Sequence, residues 1–94
     1  MTNNAHESTQ IKLSRGVRYR WDEVRGQHQL LYPEGLLVLN ETGAAIAQLC
    51  DGRSMGAIKR ALARSFSDAG IDNEIEEFLS RLAQRGLVHH DTNP

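Results

Sequence analysis

Few side chains in this sequence are of the types that commonly carry out chemistry. Nucleophilic catalysis would need Cys50 beside a base, and a metal site would need histidines at a workable spacing, such as His-x-x-x-His on a helix. The chain has neither, and it has no glycine-rich phosphate loop. His28 on a strand face is expected to be a packed or surface residue, and Cys50 a small buried hydrophobe. His89 and His90 lie in a predicted tail. We therefore expect no enzyme, no cofactor and no metal.

Arginines offer a second kind of chemistry, the binding of acidic groups. Eleven Lys and Arg stand against twelve Asp and Glu, so the net charge of −1 gives no global attraction to nucleic acid or to an anionic membrane. Arg81 and Arg85 complement the dipole of the last predicted helix and are also suited to hold an acidic peptide. The others are expected on a solvated surface: Arg18, Arg20, Arg25, Lys59, Arg60 and Arg64.

Length and composition favour one domain with a single small core. The chain has 94 residues, of which 39% are hydrophobic and 24% charged. The lone Cys50 rules out an intrachain disulfide and suits a reducing compartment. No apolar run approaches the ~18 residues of a membrane span, and the start lacks the order of a signal peptide. We expect a cytoplasmic protein without a membrane segment, whose oligomeric state, monomer or dimer, stays open.

The first half of the chain keeps a strand rhythm. Residues 1–12 are polar and predict a disordered tail, and residues 13–88 a single domain. Alternation predicts strands over 17–21 and 27–32, joined as a hairpin. After the turn at Pro33, residues 36–39 predict a third strand that is apolar at every position. Both of its faces need cover, and its unpaired backbone edge is a potential docking surface for an extended chain.

The second half keeps a helix rhythm. Asn40 is predicted to cap a helix over 41–50, and Ser54 a helix bearing the stripe Met55, Ile58, Leu62 and Phe66. Asp72 is predicted to cap the last helix, which turns Ile75, Phe78, Leu79 and Leu82 inward. Gly86 then gives a left-handed ending in which Leu87 meets Leu82. Residues 89–94 are predicted to fray.

The order of elements suggests a fold and one alternative function. A three-stranded antiparallel sheet followed by three helices is an α+β arrangement that resembles a winged helix-turn-helix. That fold often belongs to a DNA-binding regulator, which is the alternative function here. A recognition helix reads bases with its N-terminal residues. In this chain those are Glu74, Glu76 and Glu77, whose charge repels phosphate, so we expect no nucleic acid partner.

Several segments together resemble the coenzyme PQQ synthesis protein D family (PqqD). They are Leu-Ser-Arg-Gly-Val-Arg at 13–18, Asp-Glu-Val-Arg-Gly at 22–26, Leu-Tyr-Pro-Glu-Gly at 31–35, Leu-Asn-Glu-Thr-Gly-Ala-Ala-Ile at 39–46, and Phe-Leu at 78–79 through Arg-Gly-Leu-Val at 85–88. The resemblance runs from about Leu13 to Val88 in the same order and spacing, which is more specific than any one segment.

The resemblance implies a bacterial peptide chaperone of pyrroloquinoline quinone biosynthesis, without catalytic activity of its own. Such proteins hold the precursor peptide PqqA and deliver it to the radical S-adenosylmethionine enzyme PqqE, which cross-links a Glu and a Tyr of that peptide. In related recognition domains for ribosomally made and modified peptides, the peptide adds as a strand beside the third strand, in a groove walled by the third helix. Carried onto this chain, the resemblance implies that Leu36, Leu37, Val38, Leu39 and Asn40 pair with the peptide. It implies an opposing wall of Phe78, Arg81, Leu82 and Arg85.

Overall fold

Six short segments form strands, and three longer amphipathic segments form helices, in the computed structural model, which describes residues 9–66 and 69–91. In chain order the elements are β1 (Gln10–Leu13), β2 (Arg18–Asp22), β3 (Gln27–Tyr32), β4 (Gly35–Leu39), α1 (Glu41–Gln48), β5 (Asp51–Ser54), α2 (Met55–Ala63), α3 (Ile71–Gln84) and β6 (Val88–Asp91). The strands form two antiparallel sheets of three, with the orders β5-β1-β6 and β2-β3-β4. The fold is α+β, as expected.

The sheet β5-β1-β6 was not predicted. β1 pairs with β6 from Gln10 opposite Asp91 to Leu13 opposite Val88, and with β5 on its other edge. Residues 10–12 and 89–91 are therefore not tails, while residues 1–8 and 92–94 of the predicted tails lie outside the described residues. The expected single three-stranded sheet is wrong, and the winged helix-turn-helix description is not confirmed. The pairing joins segments far apart in the sequence, so local periodicity gives no sign of it.

The sheet β2-β3-β4 contains the predicted hairpin and the predicted third strand. Trp21 lies opposite His28, and His28 in turn lies opposite Leu39. Because side chains alternate between the faces of a sheet, Leu30, Leu37 and Leu39 share one face. Leu30 and Leu39 are buried there in the core, beneath α1. β4 is the last strand of this sheet.

Polar side chains begin two of the helices where the sequence predicts. Asn40 Oδ1 accepts a hydrogen bond from the Gly43 backbone N–H at 2.7 Å, so α1 starts directly where β4 ends. Ser54 Oγ accepts from the Ala57 N–H at 3.1 Å and begins α2. Asp72 does not cap α3, because the buried Ile71 is already helical and Gly70 takes the capping position. Asp72 instead lies in the first turn, where its charge still favours the helix dipole.

The end of α3 is the predicted Schellman motif. Gly86 has φ +73°, the Leu87 N–H donates to the Leu82 carbonyl at 2.9 Å, and the Gly86 N–H donates to that of Ala83 at 3.0 Å. The turn sends the chain from α3 into β6, where Leu87 and Val88 enter the core. This ending therefore fixes α3 against the rest of the molecule.

An ion pair joins α2 to α3. Lys59 Nζ lies 2.5 Å from Glu76 Oε2, and the Lys59 side chain is mostly buried. The expectation that Lys59 belongs to a solvated surface is therefore wrong, whereas Arg60 and Arg64 are exposed. Because Lys59 lies at the middle of α2 and Glu76 in the second turn of α3, the pair holds the two helices in register.

Candidate functional site

The open edge of β4 is the clearest candidate for a binding surface. Among the described residues, no strand pairs with β4 on the side away from β3. Tyr32 and Gly35 flank a two-residue turn and pair with each other, which makes them a hydrogen-bonded pair of the hairpin. Hydrogen-bonded and non-bonded pairs alternate, so we infer that Leu36 and Val38 direct their backbone N–H and C=O groups to the open edge. These are the groups an added strand would use.

The side chains of β4 divide between the two faces of the sheet. Leu37 and Leu39 face the core, and Leu39 is buried. Leu36 and Val38 face outward with 47% and 53% of their surface exposed. We predicted that both faces of this strand need cover: within the described chain the inner face is packed, and the outer side chains are about half exposed. Large exposed apolar side chains on an open strand are features of protein interaction sites.

A cleft of about 190 Å³ lies between β4 and α3. It is lined by Leu37, Val38, Leu39, Asn40, Phe78 and Arg81. The structure therefore brings together six of the nine residues that the resemblance implies for peptide binding. Their role in binding stays a prediction, because the geometry alone gives their placement and not their ligand.

The other three predicted residues lie outside the lining. Leu36 is next to it on β4, with its side chain on the outer face. Leu82 is 1% exposed and belongs to the hydrophobic core, so its side chain does not form a groove wall. Arg85 is exposed at the C-terminal end of α3, beyond the lining. Arg85 is one helical turn further along α3 than Arg81, so Arg81 lines the cleft and Arg85 does not.

Gly43 lies close to Phe78 and Asn40, two residues that line the cleft. A Cβ atom at this position would lie 3.1 Å from Phe78 Cε1 and 3.1 Å from Asn40 Oδ1. Glycine lets the Phe78 ring pack closely against the first turn of α1 while Asn40 caps the same turn, and a Cβ atom would require these neighbours to shift by a few tenths of an ångström. Gly43 was not singled out as a site residue, although its place three residues after a capping Asn could have indicated a close approach.

Arg81 supplies the charge at this cleft. Its guanidinium carbon lies 5.9 Å from the centroid of the Phe78 ring, within the range of a cation–π contact. Arg81 is exposed and forms no ion pair within the part of the chain that the structure describes. The ring contact leaves its N–H donors available, so Arg81 is suited to bind a carboxylate or a peptide carbonyl.

The hairpin that supports β4 is held by a buried polar cluster. Asp22 accepts hydrogen bonds from the Val24 and Arg25 backbone N–H groups at 3.0 and 3.3 Å, and from the Gln29 side-chain amide at 3.0 Å. Burial raises the pKa of Asp22, but the hydrogen bonds from Arg25 and Val24 and the charge of Arg25 outweigh it, so the pKa is lowered from 3.8. The carboxylate therefore stays ionised and fixes the β2–β3 turn.

The remaining candidates for chemistry are structural. Tyr19 Oη lies 2.7 Å from His28 Nδ1, and the ring of Trp21 packs 4.8 Å from that of His28, as expected for a packed histidine. Cys50 is buried, and burial followed by the charge of Asp51 raises its pKa to about 12. The described residues contain no group of three metal-ligating side chains. None of their helices is long and apolar enough to cross a membrane.

The start of α3 carries the acidic surface that the sequence predicts. Asp72, Glu74 and Glu77 are exposed, and Glu76 is bound to Lys59. A surface of this charge repels the phosphates of duplex DNA. The alternative of a DNA-binding regulator gains no support from it.

Comparisons with known proteins point to one family. The family model described as coenzyme PQQ synthesis protein D (PqqD) matches residues 27–88. The chain is 37% identical over 81 residues to the PqqA binding protein of Methylococcus capsulatus, covering 85% of this chain and 87% of that protein. It is 42% identical over 80 residues to the PqqA binding protein of Klebsiella pneumoniae, covering 83% and 87%.

A solved structure shares the fold. It is the solution NMR structure of the PqqD truncation of Methylobacterium extorquens PqqCD, described as a functional and stand-alone recognition element for ribosomally synthesized and post-translationally modified peptides. The TM-score is 0.71 at 36% sequence identity, and the match covers 85% of this chain and 88% of the other.

Proposed function

This chain belongs to the coenzyme PQQ synthesis protein D family, and on that premise we propose that it is a peptide-binding recognition element. An extended PqqA precursor peptide pairs as an added strand with the open edge of β4. Alternate side chains of that peptide enter the cleft between β4 and α3. The bound peptide is then presented to the radical S-adenosylmethionine enzyme PqqE. The name PqqA binding protein, carried by relatives in several bacteria, supports the first part.

The observation that carries the proposal is the open edge of β4 beside a cleft. Unpaired backbone groups at Leu36 and Val38 offer hydrogen bonds to any extended chain, with little demand on its sequence. The neighbouring cleft restricts the sequence of the peptide, because it accepts only side chains that fit its walls. Main-chain pairing thus supplies affinity and the cleft supplies selectivity.

The lining of the cleft indicates which peptide it selects. Inward side chains of an added strand meet Leu37, Leu39 and the ring of Phe78, so apolar side chains are favoured there. Near Arg81 a carboxylate is favoured, because the guanidinium retains its donors. We therefore expect a bound segment in which apolar side chains alternate with others and one acidic residue faces α3.

Delivery to PqqE needs a second contact that leaves β4 covered by the peptide. A module that holds peptide and enzyme together makes their encounter effectively intramolecular, with local concentrations on the order of mM for short flexible connections. The sheet β5-β1-β6 shares no lining residue with the β4 cleft, so it is available for such a contact. In this proposal the chain selects the peptide, and PqqE carries out the chemistry.

The test is the variant Val38→Pro, titrated calorimetrically with synthetic PqqA. Proline removes the backbone N–H at this position but is tolerated on edge strands, so the fold is expected to survive. Loss of one main-chain hydrogen bond and of the strand geometry around it should weaken binding about tenfold or more. Circular dichroism and the thermal midpoint verify that the variant is folded.

Val38→Thr is the matched control. It keeps the N–H, the β-branched shape and the exposed position, so its affinity for PqqA should remain within about threefold of the parent chain. A folded Val38→Pro protein with unchanged affinity would contradict strand addition at β4. Equal losses in both variants would assign the effect to the side chain rather than to the backbone.

A further inference from the structure

A second cleft lies beside the sheet β5-β1-β6. It encloses about 470 Å³ and is lined by Gln10, Lys12, Leu13, Arg15, Gly52 and His89. These residues come from β1 and the turn after it, from β5 and from β6, so the cleft depends on the long-range pairing of the sheet. Nothing in the proposed binding of a peptide at β4 uses it.

Two cationic side chains, those of Lys12 and Arg15, line this cleft together with the imidazole of His89. Lys12 lies directly opposite His89 in the β1–β6 pair, and Arg15 follows two residues after the end of β1. Side chains directly opposite in an antiparallel pair are neighbours on one face, so the Lys12 ammonium and the His89 ring are neighbours. An anion bound between them would accept hydrogen bonds from the ammonium and from an imidazole N–H.

The nearby acidic residue of β5 does not neutralise them. Asp51 lies opposite Lys12 in the β1–β5 pair, but its carboxylate accepts hydrogen bonds from Arg53 Nε at 3.0 Å and from Arg53 Nη2 at 2.9 Å. Within the described part of the chain, Lys12, Arg15 and His89 form no ion pair and no side-chain hydrogen bond. The cleft therefore presents N–H donors of Lys12 and Arg15 that no carboxylate of the described residues occupies.

The lining of the cleft is also accessible at the backbone of Gly52. Gly52 has φ +106°, and no heavy atom lies within 4 Å of the position that a Cβ would take there. A ligand can thus approach the β5 backbone while it contacts the basic side chains. Lys12 offers a compact ammonium and Arg15 a planar fork of donors, a combination that suits oxyanions.

We propose that this cleft binds an oxyanion, a carboxylate or a phosphate, through Lys12, Arg15 and His89. The group comes either from a small free anion or from an acidic side chain or carboxyl terminus of a peptide. The proposal does not rest on peptide binding at β4, because the two clefts share no lining residue.

The experiment is a titration of the full ¹⁵N-labelled chain followed by NMR at constant ionic strength. The probes are inorganic phosphate, citrate and a pentaglutamate peptide. Saturable shifts are expected in the amides of Lys12, Leu13, Arg15, Gly52 and His89. The double variant Lys12→Gln/Arg15→Gln should weaken the binding about tenfold or more, since it removes two charge-assisted contacts.

A matched double variant separates a site from general screening. Arg60→Gln/Arg64→Gln also removes two positive charges, but from the exposed surface at the end of α2, and should leave binding within about twofold. If Lys12→Gln/Arg15→Gln does not fold, the single changes Arg15→Gln and Arg60→Gln replace the pair.

The outcomes are distinct. Saturation with phosphate or citrate assigns a free anion, and saturation with the peptide alone assigns a carboxylate carried by a protein. Absence of saturable shifts in these amides with all three probes overturns the proposal. Equal weakening in the two matched variants also overturns it. Neither result bears on the binding of PqqA at β4, which the Val38→Pro titration tests.

Discussion

Gly43→Ala is the substitution for which the structure gives the sharpest expectation. The new methyl group would lie 3.1 Å from Phe78 Cε1, 3.3 Å from Phe78 Cζ and 3.1 Å from Asn40 Oδ1. Two of these contacts push the ring that walls the β4 cleft, and the third pushes the side chain that caps α1. The substitution thus acts on the fold and on the candidate site through a single methyl group.

Opposing effects set the magnitude. In an open helix, Gly→Ala stabilises by about 1 kcal/mol. Overpacking against a buried ring costs about 1–3 kcal/mol, and a weakened N-cap costs about 1 kcal/mol more. The costs exceed the gain, so we expect a net loss of about 1–3 kcal/mol. For a domain of this size, each kcal/mol lowers the thermal midpoint by about 4–8 °C.

Urea unfolding of Gly43→Ala, Phe78→Leu and the double variant measures this effect. Leucine is narrower than the ring, so the double variant should be more stable than the sum of the two single changes predicts. Gly43→Ala should also weaken PqqA binding, because the displaced ring narrows the cleft. A gain in stability of about 1 kcal/mol, or strict additivity with Phe78→Leu, would refute the close approach of α1 and α3.

Two further predictions concern buried groups. Iodoacetamide at about pH 8 should leave Cys50 unmodified in the folded chain and label it after unfolding in urea. The reason is that its pKa of about 12 leaves almost no thiolate in the folded chain. Rapid labelling of the native protein would contradict the burial of Cys50. Asp22 has a lowered pKa, so its contribution to stability is present above its usual value of 3.8 and is lost as the pH falls through the folded value. Asp22→Asn should therefore lose less unfolding free energy than the parent chain between about pH 5 and pH 3, and equal losses would show that the Asp22 hydrogen bonds do not lower its pKa.

Local signals in the sequence predicted the centre of the fold well. The alternation over 27–32 matches β3, and Asn40, Ser54 and Gly86 act at the helix ends as expected. Each of these signals has its physical cause within a few residues of itself. A cap, a turn or a run of alternating residues can therefore be recognised without knowledge of the rest of the chain.

Signals that depend on distant partners were missed. β5 reads Asp-Gly-Arg-Ser, which has no strand pattern of its own, and β1 buries little besides Ile11. Both become strands because β1 pairs with β5, which follows α1, and with β6, which follows α3. The burial of Lys59 was missed for the same reason, because its ion-pair partner Glu76 lies on another helix.

The candidate site divides in the same way. The apolar third strand and its open edge follow from residues 36–39 alone, and the side chains of α3 that face inward follow from helical periodicity. Which of those side chains lines the cleft depends on the rotation and depth of α3. Leu82 proved to be core and Arg85 lies beyond the lining, whereas Gly43 was missed because its importance comes from the ring of Phe78 packed against it.

Hydrogen exchange of the β4 amides with and without PqqA tests the central claim most directly. The amides of Leu36 and Val38 point to the open edge and should exchange rapidly in the free chain, whereas those of Leu37 and Leu39 are paired with β3 and exchange slowly. Saturating PqqA should slow the exchange of Leu36 and Val38. If calorimetry shows PqqA bound while these two amides exchange as fast as before, the peptide does not add to β4 as a strand.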